Sequence, residues 1–199
     1  MEYKKVISDF YAARCAQHRD EGWKASLYTT ADNQYGTFAN LMKIVAGNKS
    51  GTLLDVGCGQ GDLFEFIETR GLDLIYTGLD LCPTMVGYAK ARFPDGTFQV
   101  QDLLEYDKEH DYVIAASVMN LAVPDQKKYA QDVIRRMFQV ARRGVAFNML
   151  SDAYRDYERQ EGLYYYDPAE VTGFCLSLTP FLFLDHDRSG YDFHLYLKK

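Results

Sequence analysis

The amino-acid sequence predicts an α/β protein, a mostly parallel sheet covered by helices on both faces and closed by an antiparallel hairpin. Three observations carry this expectation. Between residues 51 and 150, short apolar runs alternate with segments of helical period, the pattern of a parallel sheet with crossover helices. The first apolar run ends in a glycine-rich turn, Gly57-Cys58-Gly59-Gln60-Gly61, of the kind that joins a buried strand to a helix. Near the end of the chain, two strand-like runs are separated by Arg188-Ser189-Gly190, too short a link for a parallel crossover.

The elements follow in order. Tyr3, Val6, Ile7 and Phe10 fall on one face of an N-terminal helix. A polar stretch from Gln17 to Asn33 precedes a second apolar face, Phe38, Leu41, Met42 and Val45, with Gly47 as its stop. Thr52–Val56 is a buried strand, followed by a helix through Leu63, Phe64, Phe66 and Ile67 that Gly71 closes. Leu74–Asp80 is a strand, and Pro83 suits the first turn of a helix reaching Arg92. Thr97–Gln101 and Asp111–Ala116 are strands. Pro124–Arg142 is a long helix with Tyr129, Val133, Met137 and Val140 on one side, and Gly144–Leu150 is the fifth strand. After an aromatic stretch from Ser151 to Tyr166, Asp167-Pro168-Ala169-Glu170 has the form of a capping box. Phe181–Asp187 and Tyr191–Leu197 form the closing hairpin, the latter alternating apolar and polar residues.

The chain has 199 residues, which suits one domain. The expected layout is a helical cap over 1–50, a core over 51–150, and a segment with the closing hairpin over 151–199. A net charge of −6 lacks the basic footprint of a nucleic-acid binder. No apolar run is long enough to span a bilayer, and the first residues carry charges where a secretory signal would be apolar, so a cytoplasmic location is expected. The four cysteines make no zinc spacing; they read as free thiols, and no metal is expected.

The informative stretch is Leu53-Leu54-Asp55-Val56-Gly57-Cys58-Gly59-Gln60-Gly61-Asp62. Glycines at alternate positions let a ligand lie on bare backbone. Asp55 and Asp62 are poor neighbours for a pyrophosphate and good ones for a ligand carrying an ammonium and a sulfonium.

Asp55-Val56-Gly57-Cys58-Gly59-Gln60-Gly61-Asp62 resembles the first motif of the class I S-adenosylmethionine-dependent methyltransferases. The resemblance extends over Gly51 to Lys199, the first 50 residues forming a variable cap. It implies a Rossmann-like three-layer sandwich around seven strands, the last antiparallel. It also implies S-adenosyl-L-methionine as cofactor and S-adenosyl-L-homocysteine as product. The motif then implies cofactor contacts from Asp55, Gly57, Cys58, Gly59 and Gly61. Asp80, 19 residues after Gly61, would hold the ribose hydroxyls. Asp102 would take the adenine amino group and Leu103 offer its amide to the ring, while Leu81 and Met85 pack on the adenine faces. Ser117 lies at the methionine end.

For the methyl acceptor, His18 and Asn120 are candidate catalytic residues. Trp23, Asn120, Asn148, Tyr164 and Tyr165 are candidate acceptor contacts, the last two within a tyrosine wall formed with Tyr154, Tyr157 and Tyr166. Gln34 and Tyr35 are within reach of the methionine carboxylate. Bland roles stand beside these: a surface histidine for His18, packing for Trp23, Cys58 and Cys82, and a turn or strand end for Asn120 and Asn148. His110 reads as solvent-facing in a charged turn, and His186, Asp187 and Arg188 as hairpin charges. The expected function is methyl transfer to oxygen or nitrogen of a small molecule by in-line displacement. Methylation of a protein, or a non-catalytic cofactor-binding subunit, are the alternatives. Nucleic acid and membrane are not expected partners, and the state is monomer or homodimer.

Overall fold

The computed structural model describes residues 2–19, 21–46, 50–153, 158–186 and 191–199. Gly47, Tyr154, Tyr157, Asp187 and Arg188 lie outside these, as does the 188–190 link.

Seven strands form one sheet: β1 (Gly51–Val56), β2 (Leu74–Asp80), β3 (Phe98–Val100), β4 (His110–Ala115), β5 (Ala141–Leu150), β6 (Leu182–Asp185) and β7 (Asp192–Lys198). Their order is β3-β2-β1-β4-β5-β7-β6. The first five strands run parallel, and β7 lies antiparallel between β5 and β6. The expected Rossmann-like sheet is present, with the hairpin folded so that its second strand, not its first, meets the parallel half.

Although β7 alternates apolar and polar residues, Asp192 through Leu197 are all buried, because this interior strand is covered on both faces. The hairpin's first strand is left at the edge, and Phe181 and Phe183 are exposed there.

The helices are α1 (Glu2–Gln17), α2 (Gly22–Ala25), α3 (Ala31–Leu41), α4 (Asp62–Thr69), α5 (Pro83–Arg92), α6 (Gln126–Val140) and α7 (Pro168–Leu176). A 3-10 turn at Met42–Val45 extends α3. Alternate strand residues feed two cores. Leu54, Val56, Val113, Ala115 and Phe147 pack with α1, α6 and α7 on one face. Leu53, Tyr76, Tyr112, Ile114 and Ala146 pack with α3 and α4 on the other.

Two local expectations change. Asp167 does cap α7, accepting the Ala169 N–H at 2.8 Å. Glu170, however, does not fold back to close a capping box; it pairs with Lys127 of α6 at 2.7 Å. His110 is buried at the start of β4 rather than solvent-facing. Its Nε2 meets the Tyr106 hydroxyl at 2.7 Å, and burial holds its pKa below the usual value.

Among the described residues no helix is long and apolar enough to cross a membrane, and no group of His, Cys, Asp and Glu is arranged to hold a metal ion. The four thiols are free and buried.

Candidate active site

The strand order reverses between β1 and β4, so their C-terminal ends open a crevice where α/β sheets bind ligands. The loop after β1 forms its floor. Gly57, Gly59 and Gly61 have φ of +72°, +54° and +86°, a region where side chains other than glycine are strained. A Cβ on Gly57 would lie 2.4 Å from Val118 Cγ2, whereas one on Gly59 would meet only Ser26 Oγ, at 3.4 Å. The first glycine closes the turn against its neighbour. The second leaves bare backbone facing the cleft.

Four carboxylates line this cleft: Asp55, Asp62, Asp80 and Asp102. Their surroundings differ. Asp62 begins α4 and is answered internally, by Arg92 Nη1 at 2.6 Å and Gln34 Nε2 at 3.0 Å. It is therefore not one of the carboxylates offered to a cationic ligand, contrary to the expectation from the motif. Asp102 is bonded from outside the cleft, by the Tyr3 hydroxyl at 2.6 Å, Lys4 Nζ at 2.8 Å and the Leu104 N–H at 2.9 Å.

Asp55 and Asp80 are the pair whose described partners include no cation. Asp55 is almost wholly buried, and only the Tyr76 hydroxyl, at 2.6 Å, donates to it among the bonds found. Burial pushes its pKa up to about 7, with the charges of Asp80 and Asp62 adding to the effect against the Tyr76 hydrogen bond. Asp80 accepts the N–H groups of Gly59 and Cys82 at 2.9 and 2.8 Å, and burial raises its pKa despite those bonds. Each Asp80 oxygen retains a lone pair for a hydroxyl of a bound diol. Carboxylates without a counter-charge among the described residues, beside an open glycine backbone, suit a cationic, hydroxyl-rich ligand.

Leu81, Met85, Leu103 and Cys58 also line the cleft, as expected. Ile7 and Tyr11 of α1 and Tyr129 and Val133 of α6 line it too; the sequence reads Ile7, Tyr129 and Val133 only as apolar helix faces and does not single out Tyr11. Only the fold brings α1 there.

A second cavity adjoins the first. Tyr11, Ser26, Tyr28 and Ser117 line both. Ser117 has φ +60°, an unusual conformation for a residue with a side chain. Asn148 holds it there: Oδ1 accepts the Ser117 N–H at 2.8 Å, and Nδ2 donates to Ser117 Oγ at 3.0 Å. The same Nδ2 donates to Asp192 Oδ2 at 3.0 Å. The Tyr28 and Ser117 hydroxyls are 3.1 Å apart.

The acceptor candidates separate accordingly. Asn120 and Asn148 line the second cavity, though both are buried and bonded: Asn120 Oδ1 accepts the Leu150 N–H at 3.0 Å. Gln34 lines the cofactor cleft, while Tyr35 turns to Phe66 and Glu65. His18, half-buried after α1, and Trp23, beneath the Lys24 ammonium at 4.9 Å, line neither cavity. The tyrosine wall does not form among the described residues. Tyr166 is bonded to Gln126 and the Met119 carbonyl, Tyr164 packs on it at 4.7 Å, and both face α6 and α7. Tyr165 accepts the Gln160 N–H at 2.9 Å. His186 packs edge-on against Phe193. The tyrosines that do line the second cavity are Tyr11, Tyr28 and Tyr191. Nothing local in the sequence distinguishes those three from the other thirteen.

Comparison with known proteins agrees with this geometry. Residues 53–144 match the family model described as a methyltransferase domain. A candidate methyltransferase of Mycobacterium tuberculosis is 28% identical, the match covering 79% of this chain and 99% of the relative. The trans-aconitate 2-methyltransferase of Methylobacterium radiotolerans is 31% identical over 49% of this chain and 38% of its own. The crystal structure of magnesium protoporphyrin IX methyltransferase from Synechocystis with bound S-adenosylmethionine matches with a TM-score of 0.75 at 18% identity, covering 100% of this chain and 98% of that one. Residues 53–144 thus match a methyltransferase domain, and the fold is that of the methyltransferase solved with S-adenosylmethionine bound.

Proposed function

We propose that this chain methylates an oxygen or nitrogen of a small molecule, with 1–199 acting as one catalytic unit. Residues 1–50 form the cap, 51–150 the cofactor core, and 151–199 the acceptor-side segment. The observation that carries the reading is the cleft at the β1 and β4 ends, where Asp55 and Asp80 face open glycine backbone and a second cavity shares the wall. A porphyrin-methylating neighbour of similar size supports a small-molecule acceptor.

The cofactor supplies an activated methyl group on a sulfonium. Asp80 binds the ribose hydroxyls through its unused lone pairs. Asp102 and the Leu103 amide hold the adenine edge, with Leu81 and Met85 on the ring faces. Asp55 faces the ammonium, and Ser117 marks the methionine end. The protein's contribution is to align the acceptor and to exclude water, which can supply much of the rate when the leaving group is already good.

Calorimetric titration with S-adenosylmethionine and S-adenosylhomocysteine tests the cofactor assignment. Micromolar binding is expected, weakened about tenfold or more by Asp80→Ala. An unchanged affinity in that variant would refute the ribose role. Transfer of a labelled methyl group to an acceptor separates an enzyme from a binding subunit.

A further inference from the structure

We propose that Asn148 is a positioning residue for methyl transfer. Its amide group holds Ser117 so that the floor of the cofactor cleft and the wall of the second cavity stay in register. This rests on the methyl-transfer reading and adds to it a residue that acts through another.

The backbone comes first. Ser117 follows β4 with φ +60°, a conformation that a side chain disfavours and that persists only where the surroundings enforce it. Asn148 of β5 enforces it. Its Oδ1 accepts the Ser117 N–H at 2.8 Å, and its Nδ2 donates to Ser117 Oγ at 3.0 Å and to Asp192 Oδ2 of β7 at 3.0 Å. The direction of these bonds is fixed. A backbone N–H can only donate, so the amide oxygen must face it, and the nitrogen is left toward Ser117 Oγ and Asp192. Ser117 Oγ, with Oδ1 also 3.4 Å away, therefore sits against the whole amide group. Both amide hydrogens are engaged within the protein, so Asn148 lines the second cavity without a donor left for an acceptor molecule. Asp192 serves here as the far anchor of the amide, whatever else bonds to it; His194 Nε2 lies 3.8 Å from the same oxygen.

Two consequences reach the site. The Ser117 hydroxyl is set at the wall that both cavities share, 3.1 Å from the Tyr28 hydroxyl. The turn at Ser117 also carries Val118 onto the glycine loop, so close that a Cβ on Gly57 would lie 2.4 Å from its Cγ2. One amide thus ties the cofactor floor and the hydroxyls of the shared wall to the same point of β5. In-line transfer depends on that register, since the reacting atoms must be aligned about 3–3.5 Å apart and a misplacement of about 1 Å can cost about a hundredfold in rate.

The test compares two ligands and needs no methyl acceptor. S-adenosylhomocysteine ends at its sulfur. Sinefungin carries an amino group on carbon in place of the methylsulfonium, so it extends to the shared wall, where the Ser117 and Tyr28 oxygens can accept its N–H groups. By calorimetry, Asn148→Ala should lower sinefungin affinity about tenfold and S-adenosylhomocysteine affinity by about threefold or less. A role confined to stability would move both alike. Ser117→Gly takes the left-handed conformation unaided and lacks the hydroxyl. It should lower the sinefungin preference by itself, and adding Asn148→Ala to it should change that preference by less than about twofold. An unchanged preference in Asn148→Ala, an equal loss of both ligands, or a second full loss in the Ser117→Gly background would each overturn the proposal. Should Asn148→Ala alone not fold, glycine at position 117 should rescue it, and failure to fold in both backgrounds would overturn the proposal as well. A wild-type protein that binds neither ligand would overturn the methyltransferase reading instead.

Discussion

Asp55 illustrates how one residue links stability, protonation and binding. Its folded pKa is raised, from a usual 3.8 to about 7, because burial disfavours the charge. A raised carboxyl contributes stability that is fully present below its unfolded value and is lost as pH rises through the folded value. The unliganded protein should therefore lose stability between pH 4 and pH 7 through this group, and Asp55→Asn should flatten that slope in thermal melts. A cationic ligand reverses the preference by favouring the ionised form. S-adenosylmethionine should bind more tightly at pH 8 than at pH 6 and release a proton on binding at pH 6. Titration in buffers of different ionisation enthalpy measures that proton, and its absence would sink the assignment of Asp55 to the ammonium.

The motif made Asp55, Asp80 and Asp102 legible as acids at strand ends, because strand ends and glycine turns are local features. Which acids keep their charge exposed to the ligand was not legible. Arg92 answers Asp62 from 30 positions away, and Tyr3 reaches Asp102 from 99 positions away.

Among the elements, α1 is the one whose role the sequence understates. Its apolar spacing predicts a helix and says nothing of where it docks. In the fold it lies along the cofactor cleft, with Tyr3 and Lys4 bonded to Asp102, Ile7 and Tyr11 in the wall, and Cys15 in contact with Met85 at 3.1 Å. Removing Tyr3 and Lys4 together (Tyr3→Phe with Lys4→Met) frees one end of this strap and leaves Asp102 held by the Leu104 amide. S-adenosylhomocysteine should then dissociate several-fold faster in stopped-flow measurements, with circular dichroism unchanged. An unaltered rate would show that α1 does not restrain the cofactor. The segment 158–166 behaves oppositely. Its tyrosines looked like part of an acceptor wall, but Tyr166 satisfies Gln126 and the Met119 carbonyl within the protein, because a buried hydroxyl needs a partner and these lie within reach, while Gln160 and Leu163 of the same segment line the second cavity.

On the scale of the whole molecule, the sheet order divides the chain into a deep centre and two thin edges. β2, β1, β4, β5 and β7 have neighbours on both sides, whereas β3 and β6 have one each. Native-state hydrogen exchange should protect the inner five strands to the global limit and release β3 and β6 earlier. Leu53, fully buried in the centre, should cost about 2–5 kcal/mol when truncated to Ala, read from chemical denaturation. Saturating cofactor should raise stability by about 2.7 kcal/mol at a hundredfold excess over Kd, since it binds only the folded state.

The sequence by itself determined the α/β class, most strand and helix positions, and the cofactor loop. Each of these is encoded over a few neighbouring residues, by period, by glycine conformation or by a proline at a helix start. The tertiary structure decided which carboxylates are compensated, which tyrosines reach a cavity, and that Asp192 lies buried beside the shared wall. Those outcomes depend on the insertion of β7 between β5 and β6 and on the docking of α1. Both are long-range events, and burial and pairing are properties of the space they enclose, not of any single stretch of chain.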